Sequence, residues 1–267
     1  MGVTEATGGP GETGGGSRSV AFFGRPAGDI CGSVKQGAVL KLLLTALFFV
    51  LCASPLSWAA ASDGENSVQG PGGSERLQEK AFEQAGLKKL TGDRFILDLK
   101  YASQDNFLQQ DVYSPFGLDA CYVHPELHAK LLKLHDRLAA EGLRLVIYDC
   151  FRPLEVQRAM WKILPDARCV ANPAKGSLHN RGIAIDCALA DENGGYLEFP
   201  TAFDSFEQTS WQGHVCPRDQ REPCLNRDRL RGLMQEAGLT TIRTEWWHYQ
   251  LPNSSRYPLI DIGKSTP

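Results

Sequence analysis

No uncharged apolar run in this chain of 267 residues is long enough to cross a bilayer. The nearest, Leu42–Ala53, holds twelve residues against the roughly 20 that a spanning helix needs. No Cys-x-x-Cys pair occurs among the eight cysteines, which argues against a cysteine-built zinc site. Basic blocks and aromatic-basic stripes are absent too, and the formal net charge is −3. Arg218, Arg221, Arg227, Arg229 and Arg231 lie close in sequence, but acids intervene and the segment reads as a solvated loop and helix face. Nucleic acid is therefore not an expected partner. There is no internal repeat and no glycine-rich phosphate loop between a strand and a helix.

What the chain does contain is concentrated in two stretches, Ser177-Leu-His179-Asn-Arg-Gly182-Ile-Ala-Ile-Asp186 and Glu245-Trp-Trp-His248-Tyr249. A catalytic zinc takes three protein ligands from His and Asp or Glu and keeps a fourth position for water. His179, Asp186 and His248 supply such a set. A hydrolase also needs a carboxylate near the metal that takes and returns a proton without binding the metal, and Glu245 fits that need. The alternation in Gly182–Leu189 predicts a strand that sends Asp186 to the face opposite Ile183 and Ile185, with His179 on the loop leading in. Glu245 and His248, three apart, fall on opposite faces of a regular strand, so a turn, bulge or twist is required to bring both to one metal. Any one such His or Asp is usually structural or solvated. The constellation is what carries the argument.

These motifs resemble the zinc peptidases that include D-alanyl-D-alanine carboxypeptidases, peptidoglycan L,D-endopeptidases and D-alanyl-D-alanine dipeptidases. Asn180-Arg181-Gly182, Ala184-Ile185-Asp186 and Glu245–Tyr249 look most like the dipeptidases, and further matches run through Asp98–Ala102 with Asp105-Asn106-Phe107, Asp149–Pro153, Phe203-Asp204 and Asn226–Leu230. The likeness covers about residues 90 to 260 and implies one zinc ion per chain on His179, Asp186 and His248, with Glu245 as the catalytic carboxylate. It implies that Arg152 steadies the oxyanion and that Ser177, Asp204 and Tyr101 touch a small D,D-dipeptide such as D-alanyl-D-alanine. The residues support Arg152 independently, since Leu143–Tyr148 reads as a strand and Pro153 suits the first position of a following helix. Cys150 and Phe151 depart from the family's usual small residue and Tyr. Two alternatives stay open. One is a carboxypeptidase or endopeptidase acting on longer wall peptides; the other is a non-catalytic zinc-binding module like the Hedgehog signalling domain.

A second histidine pair, His124-Pro-Glu-Leu-His128, does not make a metal motif. On a helix Glu126 lies about 200° from each histidine, and Pro125 at the first helical position leaves His124 outside. Leu127, Leu131, Leu134 and Leu138 form an apolar stripe that ends at Gly142.

Residues 1–38 are glycine-rich without apolar periodicity and read as a disordered or mis-assigned extension, with translation starting near Val34 or Val39. Residues 39–61 have the order of a secretory signal peptide, residues 62–76 read as a linker, and residues 77–267 as the zinc peptidase domain. The chain is expected to be exported, to the periplasm, with no stable membrane anchor after cleavage. Six cysteines would remain, an even number that suggests disulfides, and Cys216 and Cys224 bracket a small polar loop suited to one. The expected architecture is a single α+β domain with a largely antiparallel sheet and helices around it. Strands are expected near 94–101, 143–149, 182–189 and 240–251, and helices near 125–141, 153–163 and 226–237, the last capped by Asn226 and stopped by Gly238.

Overall fold

The computed structural model describes residues 79–262. The expected extension at residues 1–38, signal peptide at 39–61 and linker at 62–76 lie outside the described residues. Among those described, no helix is long and apolar enough to cross a membrane. Seven strands and three longer helices follow in the order β1 (Lys88–Lys89), β2 (Ile96–Leu97), β3 (Tyr122–Val123), α1 (Pro125–Ala140), β4 (Leu143–Asp149), α2 (Leu154–Ile163), β5 (Ala184–Asp191), α3 (Arg221–Glu236), β6 (Thr240–Thr241) and β7 (His248–Gln250). Five strands form one sheet in the order β2-β4-β5-β7-β6, while β1 and β3 make a separate antiparallel pair. Only the β2–β4 pairing is parallel; the other three pairings of the larger sheet are antiparallel. The fold is α+β with a largely antiparallel sheet, as the sequence suggests.

The core is built around β4 and β5, whose long buried runs accept cover on both faces. The α1 stripe, Leu127, Leu131, Leu134 and Leu138, is buried in one cluster with Leu145, Val146 and Ile147 of β4 and Ile185, Cys187 and Leu189 of β5. A second cluster gathers Phe82, Leu87, Tyr101, Tyr113, Phe151, Val156 and Met160 around the start of α2. The site lies at one end of β4, β5 and β7. There Asp149 sits opposite Asp186, and Asp186 opposite His248, in one row across three strands. A bulge between Ile147 and Asp149 sets that register at the end of β4.

Several elements differ from expectation. The first strand is only β2, because the chain leaves the sheet after Asp98, whose N–H still reaches the Ile147 carbonyl at 2.9 Å. It then turns through Lys100–Ala102, burying Tyr101, whose carbonyl accepts from Val112 and Tyr113. Pro153 precedes α2 with ψ 151° instead of opening it. Helix α3 begins at Arg221, five residues ahead of Asn226, since Pro223 is tolerated in a first turn that needs no N–H there. Asn226 is therefore no cap; its Nδ2 donates to the Glu198 carbonyl at 3.0 Å from within the helix. Arg227 is buried, not solvated, and donates to the His214 carbonyl at 2.7 Å. The closing strand is split into β6 and β7 around a turn. Cys216 is bonded to Cys224 as the spacing suggests, and Cys121 to Cys150. Cys187 on β5, by contrast, is a buried free thiol.

Candidate metal centre and catalytic cleft

His179, Asp186 and His248 come from three separate places in the chain. His179 opens a short 3-10 turn, His179–Arg181, ended by Gly182 at φ +67°. That backbone favours glycine, and a Cβ there would meet Leu87 Cδ2 at 2.7 Å. Asp186 and His248 are cross-strand neighbours on β5 and β7. All three are buried, and each offers one ligand atom within 4.8 Å of the others. His179 Nε2 lies 3.4 Å from Asp186 Oδ2 and 3.3 Å from His248 Nδ1, and His248 Nδ1 lies 3.0 Å from Asp186 Oδ1. Zinc–ligand bonds of roughly 2.0–2.1 Å in tetrahedral geometry put neighbouring ligands about 3.3 Å apart, which is the spacing found.

The outward-facing ring nitrogens fix which lone pairs point inward. His179 Nδ1 donates to the Cys150 carbonyl at 2.9 Å, and His248 Nε2 donates to Gln250 Oε1 at 2.9 Å. Two imidazole lone pairs and a carboxylate then face one point, a donor set that requires positive charge and fits zinc. The local electrostatics agree. Burial acts to raise the Asp186 carboxyl, but the imidazoles of His179 and His248 hold it well below the usual carboxylate range. Burial likewise acts to lower His248, and Asp186 overrides it, pushing the imidazole up to about 9.

Glu245 lies in the turn between β6 and β7, after a tight turn at 243–244 and before bends at 246–247, which supplies the break that its spacing from His248 demands. Its Oε2 is 4.0 Å from His248 Nδ1, near the donor set but outside it. Burial raises its carboxyl above the ordinary value, with His248 opposing. Arg152 is buried at the corner between β4 and α2. It is ion-paired with Asp149, donates from Nη1 to Gln157 Oε1 at 3.0 Å, and lies 5.0 Å from the Tyr101 ring centre. Its Nε is a buried donor with no partner among the described residues. Tyr101 Oη donates to Asp204 Oδ2 at 2.9 Å. Asp204 has φ +58°, and burial, reinforced by the Asp186 charge, holds its carboxyl well above the usual range. Ser177 Oγ accepts from the His179 N–H at 3.2 Å. All eight residues singled out in the sequence line one cavity of about 560 Å³.

Two further contributors were not singled out. Asp149 is fully buried and accepts from Tyr113 Oη, its neighbour Cys150 N at 2.8 Å and Arg152 Nη2, and lies 3.4 Å from His179 Nδ1. A carboxylate at the end of an apolar strand, three residues before the arginine, was its available signal. Gln250, which orients His248, follows it by two residues on the same strand face.

Known proteins match at this point. A family model described as D-ala-D-ala dipeptidase covers residues 84–261. The D-alanyl-D-alanine dipeptidase of Escherichia coli (strain K12) is 37% identical over 166 residues, 61% of this chain and 82% of that protein. That of Enterococcus faecium is 29% identical over 183 residues, covering 59% and 88%, and that of Enterococcus faecalis (strain ATCC 700802 / V583) is 27% identical over 178 residues, covering 58% and 84%. The class defined is that of the metallopeptidases. Within it, the chain belongs to the D-ala-D-ala dipeptidase family.

Proposed function

We propose that the chain hydrolyses D-alanyl-D-alanine to two D-alanines, using one zinc ion held by His179, Asp186 and His248. The observation that carries this is the placement of the Glu245 carboxylate 4.0 Å from His248 of the donor set, in a cavity that also holds Arg152 and Asp204. A purely structural metal needs none of these three. When bound, zinc supplies Lewis acidity to the scissile carbonyl and acidity to a water. Glu245 takes a proton from the attacking water and later gives it to the departing amine, a role its raised carboxyl suits. Arg152 donates to the oxygen that gains negative charge, through guanidinium N–H groups not already spent on Asp149 or Gln157. Asp204, oriented by Tyr101, receives the substrate ammonium, and Ser177 lines the cleft beside His179. We place the protein outside the cytoplasmic membrane, in the periplasm; the Cys121–Cys150 and Cys216–Cys224 bridges and the apolar run at residues 42–53 support this.

A second reading, cleavage of longer wall peptides, is favoured by a cavity of about 560 Å³, which leaves room beyond two alanyl residues. Release of D-alanine from the dipeptide and from a longer D-alanyl-D-alanine-terminated peptide, measured with zinc, after chelation and after zinc return, tests both. Metal-restored cleavage of the dipeptide alone is expected, with Glu245→Ala retaining zinc but losing turnover. Normal turnover by a zinc-loaded Glu245→Ala protein would refute the assignment.

A further inference from the structure

The bridge between Cys121 and Cys150 stands directly behind the metal donors. We propose that it is a positioning device for the metal centre, so that tight zinc binding in this chain waits on its oxidation. This rests on reading His179, Asp186 and His248 as zinc ligands and adds the condition under which they are assembled.

Residues 149–152 form the wall against which His179 rests. The Cys150 carbonyl accepts from His179 Nδ1 at 2.9 Å, and the Asp149 carboxylate lies 3.4 Å from the same nitrogen. The Arg152 N–H donates to the His179 carbonyl at 3.2 Å, and Asn180, next in the 3-10 turn, donates from Nδ2 to the Arg152 carbonyl at 2.6 Å. The other end of that turn is held from β3, where the His124 N–H donates to the Gly182 carbonyl at 2.7 Å. Between the two, the Phe151 N–H donates to the Tyr122 carbonyl at 2.9 Å. These contacts close a ring that runs from Cys150 through Arg152 to His179, along the turn to Gly182, across to His124 and back along β3 to Cys121. Its crossings are hydrogen bonds except at the bridge, which is covalent. Strand β3 pairs with β1 over only two residues, a ladder too short to be stable alone. A metal-bound imidazole takes its orientation from the partner of its other ring nitrogen. For His179 that partner is a backbone carbonyl, which no side-chain change removes but which moves with the chain that carries it.

Closure takes two protons and two electrons from the Cys121 and Cys150 thiols, by exchange with a disulfide oxidant that leaves as its dithiol. Both cysteines are buried in the folded domain, so the sulfurs are shielded from reductants and the bridge acts as a latch set once, in an oxidising compartment.

The test is zinc affinity, by competition with a chelator, of the full-length protein, of Cys121→Ala/Cys150→Ala and of Cys216→Ala/Cys224→Ala, whose bridge borders a separate cavity. The visible spectrum of each protein carrying cobalt(II) in place of zinc is recorded alongside. Loss of the Cys121–Cys150 bridge should weaken zinc binding about tenfold or more and shift the cobalt bands, whereas loss of Cys216–Cys224 should leave both unchanged. Unaltered affinity and spectrum in Cys121→Ala/Cys150→Ala overturn the proposal. So does an equal loss in both pairs, which would mark a general cost of removing a bridge. If the alanine pair does not fold, Cys121→Ala/Cys150→Val, which returns much of the lost volume, takes its place; failure of both to fold also overturns the proposal, because the bridge would then hold the domain and not the metal centre. Absence of zinc binding by the parent protein sinks the ligand assignment and the proposal with it, whereas zinc-dependent cleavage of D-alanyl-D-alanine with bridge-independent affinity removes only the bridge's role.

Discussion

Asp149→Asn is the most informative single change away from the metal donors. The native carboxylate is fully buried and accepts hydrogen bonds from Tyr113, Cys150 N and Arg152. Asparagine preserves the shape and can still offer one oxygen to Tyr113 and Cys150 N. It turns an amide N–H₂ toward the guanidinium, however, and leaves Arg152, only 6% exposed, without a counter-charge. Removing one member of a buried ion pair costs about 3–5 kcal/mol, a large share of the roughly 5–15 kcal/mol that holds a domain together. Urea unfolding followed by the fluorescence of buried Trp246 and Trp247 should show that loss, and turnover should fall with it because Arg152 is no longer held. Adding Arg152→Met should recover much of the stability but none of the activity. The reasoning fails if Asp149→Asn costs less than about 1 kcal/mol, or if the double variant loses the plain sum of the two single losses.

Asp204→Asn should stabilise the metal-free protein while weakening dipeptide binding at least about tenfold. The Asp204 carboxyl is raised by burial, so the folded state holds its proton more tightly than the unfolded chain does. Stability from this group is therefore fully present below the unfolded value of about 3.9 and declines as pH rises through the raised folded value. Asparagine also tolerates the positive φ. The variant should melt higher than the parent near pH 7 and alongside it near pH 3.5; a gap that ignores pH would refute the account. Gln250→Met should lower zinc affinity by about 10–100-fold, read by competition with a chelator, because His248 loses the partner that orients it. Unchanged affinity in a folded variant would remove Gln250 from the metal support.

Much of the site is legible because its chemistry sits in short segments. His179, Gly182 and Asp186 fall within eight residues, and Glu245 and His248 within four, so local spacing carries ligand types and strand alternation together. Helix α1 and strand β4 are equally readable, since each is an unbroken run with one period and a clear stop. The parts that escape depend on remote contacts. Nothing local ends β2 at Leu97; the departure follows from burial of Tyr101 against residues met later in the chain. Arg227 looks solvated by its charged neighbours, yet the carbonyls of Trp211 and His214 fold over it. The Cys121–Cys150 bridge joins residues 29 apart that share no motif. Asp149 has only its place at the end of an apolar strand to mark it, because its importance comes from Tyr113 and His179, neither near it in sequence.

The row Asp149–Asp186–His248 across β4, β5 and β7 makes the cleft sensitive to counting as well as to chemistry. Side chains alternate along a strand, so one inserted or deleted residue within β5 ahead of Asp186 would turn its carboxylate toward the Ile185 side and bring an apolar neighbour into its place. The same insertion at the exposed Glu141–Gly142 turn would leave every pairing intact. Length variation in this chain is thus tolerated at a turn remote from the cleft and forbidden within its central strands, even where no individual residue type is altered.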